Sequence, residues 1–152
     1  MTEFVREDRQ ITPDFKESEF LCHHCKARGI QVDFVKLLER LRTALARPVQ
    51  INSGFRCMAH PVERAKTPGS YSAHTYGIAA DISVAQLALK DLYKAVLRFP
   101  EFHGIGVDPW RSYIHLDTRA KMARWTYARM GGTAPWDGKW ESLEAASGYK
   151  VE

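Results

Sequence analysis

Two short stretches constrain this chain more than any others: GIAADIS at 77–83 and SYIHLDT at 112–118. Each reads as a strand in which apolar positions alternate with polar ones. If residues 79–83 are extended, Ala80 and Ile82 face a core while Asp81 points the other way. In the second stretch Ile114 and Leu116 face the core, and Tyr113, His115 and Asp117 share the opposite face. Two such strands side by side present Asp81 and His115 to one point, with His74 arriving from the loop before the first strand.

The remaining pattern places these strands in an α+β domain. Phe34, Leu38, Leu41 and Leu45 recur at helical spacing from Val32 to Leu45, and Pro48 with the extended VQIN run ends the pattern. Val49 to Asn52 reads as a strand, and SGFRC with the Gly/Pro/Ser-rich stretch to Ala73 reads as a long loop. A second helix is expected over Val84 to Arg98, stopped by Phe99-Pro100. Gly104 to Val107 and Ser112 to Thr118 read as strands joined by the DPWR turn, with another extended piece at Arg124 to Tyr127. Residues 1–31 form an arm with a short helical piece around Pro13 to Phe20, and 131–152 form a tail. Trp136 and Trp140 in that tail are expected to pack back over the domain, and Trp125 to join the core. With no repeat and no linker, residues 1–152 are expected to make one domain, helices packed on one side of a small, mostly antiparallel sheet.

Composition excludes several classes of function. The chain has 22 Lys+Arg against 18 Asp+Glu, a net charge of +4, without any run of about five or six like charges. Nucleic-acid readers concentrate such charge in a stripe or motif, so no nucleic-acid partner is expected, while a modest positive charge suits adsorption to an anionic polymer such as a cell wall. No stretch approaches the roughly 18 apolar residues of a membrane span. The polar start MTEFVREDRQ does not read as a secretory signal, so a chain synthesised in the cytoplasm is expected.

Two imidazoles and a carboxylate are zinc-type donors, and a catalytic zinc site takes three protein ligands and keeps a fourth position open. Spacing alone leaves chance co-occurrence open. The flanking residues add to it: SGFRC (53–57), SAHTYGIAADI (72–82) and YIHLDTR (113–119), in that order, resemble the zinc D-Ala-D-Ala carboxypeptidase-like family of peptidoglycan peptidases, which shares a fold with the hedgehog signalling domain. The resemblance runs from about Phe15 to Trp125. It implies that His74, Asp81 and His115 ligate one zinc ion, that Arg56 contacts the scissile carbonyl oxygen or a substrate carboxylate, and that Ser72 helps bind substrate. Zinc would lower the pKa of a water toward about 7, and a guanidinium suits the oxyanion because its planar fork offers two donors.

In one respect the chain departs from that family. Many relatives carry a His or Glu two or three residues before the second histidine ligand as general base, where this chain has Tyr113 and Ser112. Tyrosine titrates near about 10, so the base must come from elsewhere. Asp117, on the face of His115, is the first candidate, with orientation of a ligand imidazole as its alternative role; His103 and His60 are loop candidates. Cys22, Cys25 and Cys57 read first as reduced thiols, with a Cys3His metal site completed by His60, or one bridge to Cys57, as alternatives.

The resemblance implies a zinc metallopeptidase, expected to be a monomer, cutting an amide bond beside a D-amino acid in peptidoglycan stem peptides. It would be carboxypeptidase-like or an endopeptidase of endolysin type, acting on the wall after release. The alternative is a zinc-containing binding or structural module of the same fold without hydrolytic activity.

Overall fold

The long helix α1 (Val32–Leu45) organises the interior of the computed structural model, which describes residues 8–64 and 72–150. Phe34, Val35, Leu37, Leu38 and Leu41 are buried along one face. The helix ends where Ala46 turns left-handed (φ 51°) and its N–H reaches the carbonyls of Arg42 and Thr43. Before it, the arm forms a hairpin of β1 (Gln10–Thr12) and β2 (Phe15–Lys16) followed by a 3-10 helix at Glu17–Phe20, so the helical piece expected around Pro13 to Phe20 occupies only its second half. The reason is local: Pro13-Asp14 makes the hairpin bend, and Phe15 and Phe20 must both reach the core, where their rings lie 5.8 Å apart.

The main sheet has six strands: β3 (Gln50–Ser53), β4 (Ala79–Ser83), β5 (Gly104–Asp108), β6 (Tyr113–Asp117), β7 (Ala123–Tyr127) and β8 (Thr133–Pro135). Their spatial order is β3-β4-β6-β5-β7-β8, antiparallel throughout except for the parallel β5–β7 pair. The fold is thus α+β with a mostly antiparallel sheet, as expected. Ala80, Ile82, Ile105, Val107, Ile114 and Leu116 line the sheet face that meets α1 and α3 (Leu89–Val96). The expected helix over Val84–Arg98 is shorter, because Gln86 adopts a left-handed φ of 60° and the chain turns before Ala88 starts the helix.

Two further helices complete the described chain. The long loop after β3 contains α2 (Pro61–Arg64), and the stretch 65–71 of that expected loop lies outside the described residues. The tail adds β8 and α4 (Leu143–Ser147), which buries Leu143 in the common core. Trp136 and Trp140 pack back as expected, their rings 5.2 and 5.9 Å from that of Tyr93. No helix among the described residues is long and apolar enough to cross a membrane.

On the opposite face, register does the positioning. Asp81 pairs with His115, His115 with Gly106, and Gly106 with Trp125, so these four residues form one row across the sheet. The next row runs Ala79, Asp117, Gly104, Ala123. Both glycines are required by what lies over them: a Cβ at Gly106 would overlap the Trp125 indole, and one at Gly104 would overlap the Asp117 carboxylate.

Candidate metal centre and cleft

The cross-strand pair Asp81–His115 supplies two donors, and a 3-10 turn at Ala73–Tyr76 supplies the third, His74. Gly77, left-handed at φ 70°, closes that turn and feeds the chain into β4. One donor atom from each of the three side chains falls within a 4.8 Å cluster, and all three residues are buried. Asp81 Oδ1 lies 3.0 Å from His115 Nδ1 and 3.4 Å from His74 Nε2.

The outer nitrogen of each ring is already committed. His74 Nδ1–H donates to the Gly54 carbonyl at 2.6 Å, and His115 Nε2–H donates to Asp117 Oδ2 at 2.7 Å. A carbonyl and a carboxylate only accept, so the inner nitrogens, His74 Nε2 and His115 Nδ1, carry lone pairs toward the Asp81 carboxylate. Such an array is favourable only around a cation, whether a proton or a metal. The residues therefore fit a metal: two oriented imidazoles, one carboxylate and an open side toward the cleft.

The electrostatics agree. Burial acts to raise the Asp81 pKa, yet protonation of the neighbouring His115 and His74 rings, like a cation placed between them, favours its charged form and holds it well below the usual carboxylate range. Burial pushes His74 down from its ordinary value. Burial acts the same way on His115, but the Asp117 and Asp81 carboxylates outweigh it and hold that imidazole up.

Asp117 sits behind His115, 0% exposed, and its carboxylate also accepts from the Arg119 guanidinium at 2.6 and 2.9 Å. It lies on the ring nitrogen remote from Asp81 and does not line the cleft, the placement expected of a residue that orients His115. His103 is engaged elsewhere, its Nδ1–H donating to the Arg119 carbonyl, and His60 lies beside His24. Neither lines the cleft.

That cleft, about 790 Å³, is lined by Arg56, Ser72, Arg119, Arg124, Tyr113 and Tyr127 around the three donors. Trp125 lines it too, its ring 5.0 Å from that of His115, rather than joining the core as expected. The indole belongs here because Gly106 leaves it room over the sheet. Burial pushes the Tyr127 phenol up to about 12 and that of Tyr113 higher still, so both are protonated donors at neutral pH.

Arg56 reaches the centre from the loop after β3. Its guanidinium lies 3.6 Å from Asp81 Oδ2 and 3.5 Å from Glu63 Oε1. Glu63, on α2, is a residue that the sequence reading missed. It is fully buried, takes the Ser72 backbone N–H at 3.1 Å, and also accepts from the Ser72 hydroxyl. One carboxylate thereby holds both cleft residues, Arg56 and Ser72. The only signal was an acidic residue in a polar loop, with nothing in its spacing to mark it.

The three thiols converge at a second place. Cys22 and Cys25 bracket a tight turn, and Cys57 approaches it directly after Arg56. Burial acts to raise the Cys22 thiol, but backbone N–H groups of Cys57, Cys25 and His24 overcome it and bring the pKa down to about 7.

Two histidines and an aspartate converge near an arginine in a cleft and form a donor set that could hold a metal ion. The chain belongs to the Peptidase M15 family, whose profile matches residues 13–117 and so spans all three donors, Arg56 and Ser72. It is 34% identical over 98 residues to Peptidoglycan L,D-endopeptidase MepK of Escherichia coli (strain K12), an overlap of 61% of this chain and 53% of the relative. The protein of the same name from Shigella flexneri matches to the same extent. The chain spans about half the length of these curated relatives.

Proposed function

We propose that this chain is a zinc metallopeptidase that hydrolyses an amide bond in peptidoglycan stem peptides, acting as an endopeptidase, with a hedgehog/D-Ala-D-Ala peptidase-like fold. The observation that carries the reading is the convergence of His74 Nε2, Asp81 Oδ1 and His115 Nδ1 with both outer ring nitrogens tied down. The name of the relatives favours cutting within or between stems over removal of a terminal D-Ala.

His74, Asp81 and His115 would hold a zinc ion, which would supply Lewis acidity and lower the pKa of a water toward about 7. The chain's own residues do the rest. Arg56, held by Glu63 and Asp81, directs its guanidinium N–H groups at the carbonyl oxygen as negative charge develops there. The protonated Tyr113 and Tyr127 phenols, ring centres 5.6 Å apart, add hydroxyl donors to the same wall. Ser72 donates its hydroxyl proton to Glu63 and keeps oxygen lone pairs for a substrate N–H. Arg119 and Arg124 give the cleft a cationic rim that suits the carboxylates of stem peptides. Asp117 keeps the His115 proton on Nε2 and the Nδ1 lone pair on the metal side.

A second reading, a peptide-binding module of the same fold that does not hydrolyse, is favoured by one observation. Among the described residues lining the cleft, the ionisable ones beyond the three donors are arginines and tyrosines, none a base near neutral pH. Digestion of purified muropeptides by zinc-loaded and chelator-treated protein, read by mass spectrometry, separates the two. Zinc-dependent products establish the peptidase, and their masses identify the bond. Zinc bound without products from any stem or cross-linked substrate supports the module.

A further inference from the structure

The cysteine cluster lies outside the cleft and belongs to none of the chemistry above. The sulfurs of Cys22, Cys25 and Cys57 all lie within 4.8 Å of one another. The Cys22–Cys25 turn is closed by the Lys26 N–H donating to the Cys22 carbonyl at 2.8 Å, with Lys26 itself left-handed at φ 60°. The Cys57 N–H points at the Cys22 sulfur, 3.4 Å away, so backbone dipoles already favour a thiolate there.

These dimensions fit one soft divalent cation. With zinc–sulfur bonds of about 2.3 Å, tetrahedral ligands place sulfurs about 3.8 Å apart and a sulfur and an imidazole nitrogen about 3.6 Å apart. The three sulfurs need close by no more than about 1 Å to reach that geometry. His24 Nδ1 already lies 3.8 Å from Cys57 Sγ. His60, the fourth donor expected from the sequence, stands behind His24, ring centres 6.3 Å apart, and its Nδ1 accepts the Val62 N–H.

We propose that Cys22, Cys25 and Cys57, with His24 as fourth donor, form a closed structural zinc site distinct from the cleft. Its effect is to staple the arm onto the loop that builds the catalytic face. Phe55 N–H already bonds the Phe20 carbonyl at 2.9 Å, and between Phe55 and Cys57 lies Arg56, with Gly54, the carbonyl that orients His74, one residue before. A metal bound at Cys22, Cys25 and Cys57 locks that contact from its other end.

The test is elemental analysis and cobalt substitution of the full chain, purified under reducing conditions. Cobalt-loaded protein is expected to show an intense thiolate-to-cobalt charge-transfer band in the near ultraviolet, and that band is expected to survive in His74→Ala. Cys25→Ser, at an exposed position that tolerates the change, should abolish the band and lower the bound zinc by one equivalent per chain. His24→Ala should shift the cobalt ligand-field bands, while His60→Ala should not; the reverse pattern overturns the choice of His24. Absence of the thiolate band in the wild-type chain, with three thiols reacting equally fast with and without zinc, or two thiols consumed in a disulfide that persists under reductant, overturns the site. The band reports thiolate ligation alone, so its failure leaves the cleft reading standing, and failed muropeptide digestion leaves this site standing.

Discussion

Replacing Asp117 by Asn separates the two roles a carboxylate beside a metal-site histidine can play. The side chain is fully buried, accepts from His115 Nε2–H at 2.7 Å, and accepts from the Arg119 backbone N–H and guanidinium at 3.0 and 2.6 Å. Asparagine has the same shape, but its single acceptor oxygen can serve His115 or Arg119, and its NH2 must then face the other donor. Loss of such a partner to a ligand imidazole costs about 10–100-fold in metal affinity, or about 1.4–2.7 kcal/mol. Competition with a zinc-chelating dye at fixed pH should show that weakening, and turnover should recover most of the way at saturating zinc. A general base would behave in the opposite manner: zinc affinity unchanged, and turnover down by about 10²–10⁴ at any zinc concentration. That second result would refute the assignment of Asp117 to orientation.

Three further tests address other parts of the site. Arg56→Ala should lower kcat/KM on muropeptides by about 10²–10³ with bound zinc unchanged, since it removes donors aimed at developing charge; equal turnover would remove Arg56 from the chemistry. Gly106→Ala should cost about 1–3 kcal/mol by driving a methyl group into the Trp125 indole, seen as a lowered denaturant midpoint and altered tryptophan fluorescence; a wild-type spectrum would show that Trp125 does not cover this row. In metal-free protein the two site histidines act in opposite pH windows. Burial holds His74 below its ordinary 6.5, so its contribution falls as pH drops below that value; His115, held above 6.5 by Asp117 and Asp81 against burial, contributes fully below 6.5 and loses its contribution as pH rises. The histidine contribution should therefore peak near pH 6.5 in chelated protein, whereas zinc-loaded protein should keep gaining stability above it, because metal and proton compete for the inner nitrogens. Denaturant melts of both forms across that range check the sign.

Alternation with period two was enough to foresee that Asp81 and His115 leave the core side of their strands, because Ala80, Ile82, Ile114 and Leu116 must face the other way to be buried. The helix at 32–45 was legible for the same reason, a periodic apolar face. Features made by contacts between distant segments were not legible. Glu63 joins Arg56 to Ser72 only through contacts that the local pattern does not show, and the late start of α3 depends on a left-handed Gln86 whose carbonyl takes the Arg47 guanidinium. The parallel β5–β7 pair and the room that Gly104 and Gly106 leave for Asp117 and Trp125 depend on strand order, which no local pattern encodes. Which nitrogen of His115 meets Asp117 is likewise a matter of rotamer, which the sequence pattern does not encode.

The three donors do not share one kind of support. Asp81 and His115 are fixed by a hydrogen-bonded ladder, but His74 rides on a short turn anchored to the sheet's rim through the Gly54 carbonyl. A metal ion would find all three donors only where that turn is seated, so its affinity would be the intrinsic value scaled by the seated fraction. A metal ion bound there would in turn hold the turn in place, so metal occupancy and resistance to proteolysis within Ala73–Tyr76 should rise and fall as a single thermodynamic unit.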